Sequence, residues 1–219
     1  MESTLLEPIA AYMRACMRDS AHDVAHVRRV VCTALDIADT EPGADRTVVQ
    51  AAALLHDIGR GAQFRDPAVC HAEAGAAMAL PFLRTCGASE PDATRICDCI
   101  RTHRFRSDRP PVSLEARILF DADKLDAVGT IGLARSLLHK GKMGEPLIDA
   151  DEDGRALSVP PAGSRCFFHE YAYKLKRLYD RFYTARGREL AALRRPAAEA
   201  FMRALAEEAG VDARAWGAL

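Results

Sequence analysis

The segment "DRTVVQAAALLHDIG" (Asp45 to Gly59) constrains this chain more than any other. Its residues are spaced for a helix, yet it is apolar on almost every side, so it keeps no face for water. A helix of that kind is stable only when other helices surround it, which places it at the centre of a core. It ends on His56 and Asp57, side by side at the edge of that core. A carboxylate buried there is costly unless something satisfies it. The partners must come from elsewhere in the chain.

The remaining pattern is helical nearly throughout. "LLEPIAAYMRACM" opens with apolar residues at helical spacing. "DVAHVRRVVCTALDIAD" carries an apolar stripe through Val24, Val27, Val30, Val31, Leu35 and Ala38. Gly59 and Gly61 close the central helix. "HAEAGAAMALPFLRTC" and "PDATRICDCIRTH" are two further helices. "SLEARILFDADKLDAVGTIGLARSLLH" reads as one long helix, with Ser113 as N-cap and Glu115 in its first turn. The pattern then lapses in a stretch rich in Gly, Pro and Asp, and the tail resumes as two or three amphipathic helices. The expected class is all-α, in one domain over residues 1–219. Its core spans about 20–139, a loop 140–165 and C-terminal helices 166–219; 219 residues suffice for one full core.

Several function classes fall away. The net charge of −1 gives no global field to recruit a nucleic-acid polymer or an anionic membrane. No apolar run reaches the roughly 20 residues of a membrane span. The N-terminus has acids near its start and does not read as a signal peptide. The seven cysteines are scattered, and the one close pair, Cys97 and Cys99, has a gap too short for a zinc site. Free thiols in a reducing cytoplasm are expected. The state of oligomerisation is not legible.

Histidine is the informative residue. His26 lies mid-helix, His56 and Asp57 end the central helix, His71 starts the next and His103 ends the one after. Asp121, Asp123 and Asp126 stand within an apolar helical stretch. Imidazoles and carboxylates spread over successive helices are what a metal site in a bundle core requires, and a divalent cation would also satisfy the buried His–Asp pair. His22, one turn from His26, could face the same site. His139 and His169 read as ordinary surface or core residues.

The motifs "HxxRV" (His26, Arg29, Val30), "ALLHDIG" and "DADKLDA", in this order and separation, resemble the HD superfamily of metal-dependent phosphohydrolases, from about Ser20 to His139. The resemblance implies an HD-domain helical bundle. It implies a metal held by His26, His56, Asp57 and Asp123, with Lys124 as a phosphate contact and Asp121 and Asp126 outside the ligand set or on the helix face. Six-ligand members place histidines for a second metal where His71 and His103 stand, with Asp57 as the bridge. The chain departs from the HD-GYP branch: it lacks the GYP motif, and Arg104 occupies the place of a second histidine. Two readings of His71 and His103 follow, ligands of a second ion or proton-transfer groups beside a single ion. The single ion is the expectation, with Arg104 and Arg106 supplying the missing positive charge.

Arg60 follows the His–Asp pair, and Arg101, Arg104, Arg106 and Arg109 crowd a short span. In a chain with a net charge of −1, such a basic cluster points to phosphate as readily as to a solvated helix end. The residues alone imply phosphoester or phosphoanhydride hydrolysis with Mn²⁺ or Mg²⁺, and with Fe, Ni, Co or Zn as alternatives. The whole-chain pattern further resembles a small bacterial branch of the superfamily. That likeness implies a nucleotide pyrophosphohydrolase cutting a nucleoside triphosphate to monophosphate and pyrophosphate, with Lys174 reaching the polyphosphate. The alternatives are a 5′-nucleotidase or cyclic-nucleotide phosphodiesterase, a dinuclear-iron oxygenase, and a nucleotide-sensing module. The loop 140–165 is expected to cover the site.

Overall fold

The computed structural model describes residues 3–17, 24–105 and 109–218. Among them every regular element is helical apart from one isolated bridge between Ala150 and Ala156, so the fold is all-α as expected. His22 and Arg106 lie outside the described residues. No helix among the described residues is long and apolar enough to cross a membrane. Backbone contacts divide the chain into two compact units, Met1–Asp123 and Lys124–Leu219.

In the first unit α1 (Leu6–Cys16), α2 (Val24–Ala38) and α6 (Glu90–Thr102) all pack against α3 (Arg46–Leu55). Val48, Val49, Leu54, Leu55 and the three alanines between them are all buried, so α3 is the central helix its composition demands. Its start is pinned by Asp45, whose side chain accepts from the backbone N–H of Thr47 and Val48, both at 3.1 Å. Arg95 on α6 ties Asp45 to Glu115 at the start of α7 (Leu114–Leu125), at 3.2 and 2.8 Å. α5 (His71–Thr85) packs on α6 and on the short α4 (Arg60–Arg65).

Two local expectations need correction. The chain does not simply stop at Gly59 and Gly61: Gly59 is the N-cap of α4, and Gly61 lies inside that helix. Nor is the run from Ser113 one long helix. Ser113 caps α7 as expected, its hydroxyl accepting from Ala116 N–H at 3.1 Å. The helix ends at Leu125, however, and α8 (Gly129–Lys142) begins after a break. Val128 is extended there, and Gly129 takes φ +71°, a left-handed conformation only glycine adopts cheaply.

In the second unit α8 packs on α11 (Ala185–Glu208), and Gly129 N–H donates to the Tyr179 hydroxyl at 2.9 Å. Between them α9 (Phe167–Glu170) passes through a π-helical turn (Tyr171–Leu175) into α10 (Lys176–Leu178). The stretch between α8 and α9 is tied down. Asp151 closes a turn by accepting from Asp153 and Arg155 N–H, and the Leu157 carbonyl accepts from the indole of buried Trp216 at 2.9 Å.

Candidate metal centre

Helix ends do most of the positioning. His56 is the C-cap of α3 and His103 the C-cap of α6. The last carbonyls of a helix lack intrahelical partners, and each histidine satisfies one. His56 Nδ1–H donates to Ala53 O at 2.8 Å, and His103 Nδ1–H to Ile100 O at 2.6 Å. A carbonyl can only accept, so both Nδ1 atoms carry the proton and both Nε2 atoms present a lone pair. His26 comes from the first turn of α2, not from mid-helix as its sequence pattern suggests, His71 from the first position of α5 and Asp123 from the last turn of α7. Asp57 follows His56 directly. All six residues are buried, none more than 9% exposed.

The six converge as two groups: His26, His56 and Asp123 in one, Asp57, His71 and His103 in the other, with the ligand-type atoms of each within 4.8 Å of one another. Asp57 faces both. Its Oδ2 lies 3.6 Å from Nε2 of His26 and of His56; its Oδ1 lies 3.6 Å from His71 Nε2 and 3.7 Å from His103 Nε2. Asp123 Oδ1 is 3.5 Å from His26 Nε2 and 3.9 Å from His56 Nε2.

The electrostatics of this arrangement can accept a cation. The Nε2 atoms of His26 and His56 are 3.3 Å apart, those of His71 and His103 3.2 Å. Burial pushes His56 down to about 4 and His71 to about 2, so both rings are neutral near pH 7. Burial works to raise Asp57, but Arg60 and then His56 outweigh it and hold the carboxyl well below its usual range. Two buried carboxylates thus meet inward-facing imidazole nitrogens with Arg60 as the guanidinium at Asp57. The donor set is nitrogen and carboxylate oxygen without sulfur, which suits a divalent ion of intermediate hardness. Two nitrogens about 2.1 Å from one such ion, near a right angle, lie about 3 Å apart. The residues present therefore fit a divalent metal.

The other sequence candidates are distributed less tightly. Arg60 does not stand free: its Nε donates to Asp57 Oδ1 at 2.8 Å and its guanidinium also reaches Gln63 Oε1 at 3.2 Å. The spacing of three residues on a tight helical turn was the signal for this pairing. Arg104 follows His103 and contacts Cys70 Sγ at 3.0 Å. Arg101 and Arg109 both pair with Glu73, so part of the basic span is neutralised. Lys124 is next to Asp123 on α7. Asp121 and Asp126 are buried but fall outside both groups, and Asp126 meets Arg135. In the second unit Lys174 sits in the π-helical turn paired with Glu170, His169 stacks on Tyr173 and His139 is exposed. Sequence reasoning missed the carbonyls of Ala53 and Ile100 as anchors, although a histidine at a helix C-terminus is their signal.

A family model described as HD domain matches residues 24–128. Over 215 residues the chain is 31% identical to the uncharacterized protein YpgQ of Bacillus subtilis (strain 168), spanning 94% of this chain and 95% of that protein. The crystal structure of B. subtilis YpgQ in complex with ADP is similar at a TM-score of 0.72 and 26% identity, covering 94% of this chain and 95% of that one. An HD-superfamily hydrolase from Bacillus thuringiensis is similar at a TM-score of 0.72 and 25% identity, covering 95% and 98%.

Proposed function

The chain belongs to the HD domain family, and on that premise we propose that it is a metal-dependent phosphohydrolase acting on nucleotides, cutting a nucleoside triphosphate to monophosphate and pyrophosphate. The observation that carries the metal reading is Asp57 flanked by two histidine pairs, one on each carboxylate oxygen. His26, His56, Asp123 and Asp57 Oδ2 would hold one divalent ion; His71, His103 and Asp57 Oδ1 would hold a second. This reading takes His71 and His103 as ligands, where the sequence reading preferred them as proton-transfer groups beside one ion. The imidazole-rich donor set favours Mn²⁺, Fe, Co, Ni or Zn over Mg²⁺, which prefers oxygen ligands.

When bound, such ions polarise a phosphoryl oxygen and make water a nucleophile near neutral pH. The protein's own groups do the rest. The backbone carbonyls of Ala53 and Ile100 lock two imidazoles in the ligating tautomer before any ion arrives. Burial of all six residues keeps bulk water from screening the charges. Arg104 beside His103, and Lys124 beside Asp123, supply cations for the remaining phosphate oxygens, since phosphoryl transfer is mainly positioning and charge stabilisation.

The nucleotide part of the proposal draws support from the ADP complex of YpgQ, a relative similar along nearly its whole length, and from the branch resemblance in the sequence. Incubation of the protein with nucleoside triphosphates and Mn²⁺, followed by ³¹P NMR, tests it. Pyrophosphate and nucleoside monophosphate are the expected products. Orthophosphate would instead indicate a 5′-nucleotidase. Inert triphosphates alongside iron-bearing, coloured protein would move the reading to the dinuclear-iron alternative, which the same four histidines and two carboxylates suit.

A further inference from the structure

Given the two-position reading of Asp57, on which this rests, we infer that Arg60 competes for the second position, so that the two ions bind in sequence and the second binds as the Arg60 guanidinium withdraws from Asp57.

The two sides of Asp57 are not equivalent. Oδ2 faces His26 and His56, and that side has a carboxylate of its own in Asp123. Oδ1 faces His71 and His103 at 3.6 and 3.7 Å, but the same oxygen accepts Arg60 Nε at 2.8 Å. The first group therefore brings two carboxylates to its imidazoles. The second brings one carboxylate oxygen, already bonded to a positive charge. A cation among His71, His103 and Oδ1 would sit within a few ångströms of that charge. At such separations in a buried setting, like charges repel strongly.

A guanidinium keeps its proton at any ordinary pH, so Arg60 yields by moving and not by titrating. It has the means to move. Its side chain is 26% exposed, and it begins a helix of only six residues. Its other hydrogen bond goes to Gln63, a neighbour on the same helix. Released from Asp57, the guanidinium becomes available to a phosphate, and this joins its present contact to the phosphate role expected from sequence.

Mn²⁺ titration of the full chain, followed by the EPR signal of free Mn²⁺, tests the inference without any turnover. In the wild type the second ion should bind about tenfold or more weaker than the first. Arg60→Gln removes the charge and keeps an N–H donor; it should tighten the second ion about tenfold or more and change the first by less than about threefold. Arg60→Lys keeps the charge and should keep the gap. A second neutral variant, Arg60→Ala, should behave as Arg60→Gln. One ion in the wild type and two in Arg60→Gln would support the same conclusion. An unchanged or weakened second ion in both neutral variants would overturn it, as would Gln and Lys variants that behave alike. Failure of every variant and the wild type to bind Mn²⁺ would overturn the ligand reading itself.

Discussion

Asp57→Ala is expected to lower nucleotide hydrolysis by at least about a thousandfold and to remove both metal ions. Losing one well-placed stabiliser of transition-state charge commonly costs about 10²–10³ in kcat. Asp57 is more than one stabiliser. Its Oδ2 serves the pair His26 and His56, and its Oδ1 serves His71 and His103. His103→Ala, by comparison, touches one group and should leave about one ion per chain. Metal analysis of the two variants beside the wild type separates the cases. The substitution also leaves Arg60 without its buried carboxylate partner, so its melting temperature should be measured alongside to separate ligand loss from unfolding.

Gly59→Ala should destabilise the fold more than any other change of a single methyl group near the site. A Cβ at Gly59 would lie 2.1 Å from the carbonyl oxygen of His71 and 2.5 Å from the backbone nitrogen of Gly75. Both obstacles are backbone, so no rotamer relieves the clash, and α5 must back away carrying His71 with it. Overpacking usually costs about 1–3 kcal/mol; a backbone collision this close belongs at or above the top of that range. At about 2–4 °C per kcal/mol for a chain of this size, the melting temperature should fall by about 10 °C. Gly61→Ala is the control. Its Cβ would meet only the far end of Arg65, at 3.6 Å, inside a helix where alanine is favoured. Its melting temperature should hold or rise. Equal melting of Gly59→Ala and wild type would contradict the close packing of α5 on the His–Asp turn.

The reasons that some of this was legible and some was not are physical. Helical periodicity located the helices because each buries a stripe or, for α3, its whole circumference. The same periodicity misled at Asp126 to Gly129, where apolar residues keep their spacing while the backbone breaks. The extended Val128 and the positive φ of Gly129 mark that break. The ligand-type residues were readable because each stands at a helix end or on a core face, where an unpartnered imidazole or carboxylate is costly. What sequence could not give is mutual distance: that His71 and His103 share an oxygen of Asp57 depends on how α5 and α6 pack. The basic residues read equally as phosphate contacts and as a solvated helix end, and the fold gives Arg60, Arg101 and Arg109 carboxylate partners that sequence does not show.

Metal dependence is the most direct test of the account. The protein should be stripped with a chelator, assayed with a nucleoside triphosphate, then reloaded with Mn²⁺ and assayed again. Hydrolysis should disappear on stripping and return with Mn²⁺, releasing pyrophosphate. Turnover that continues undiminished in the stripped protein would show that the cluster around Asp57 does not work through a metal.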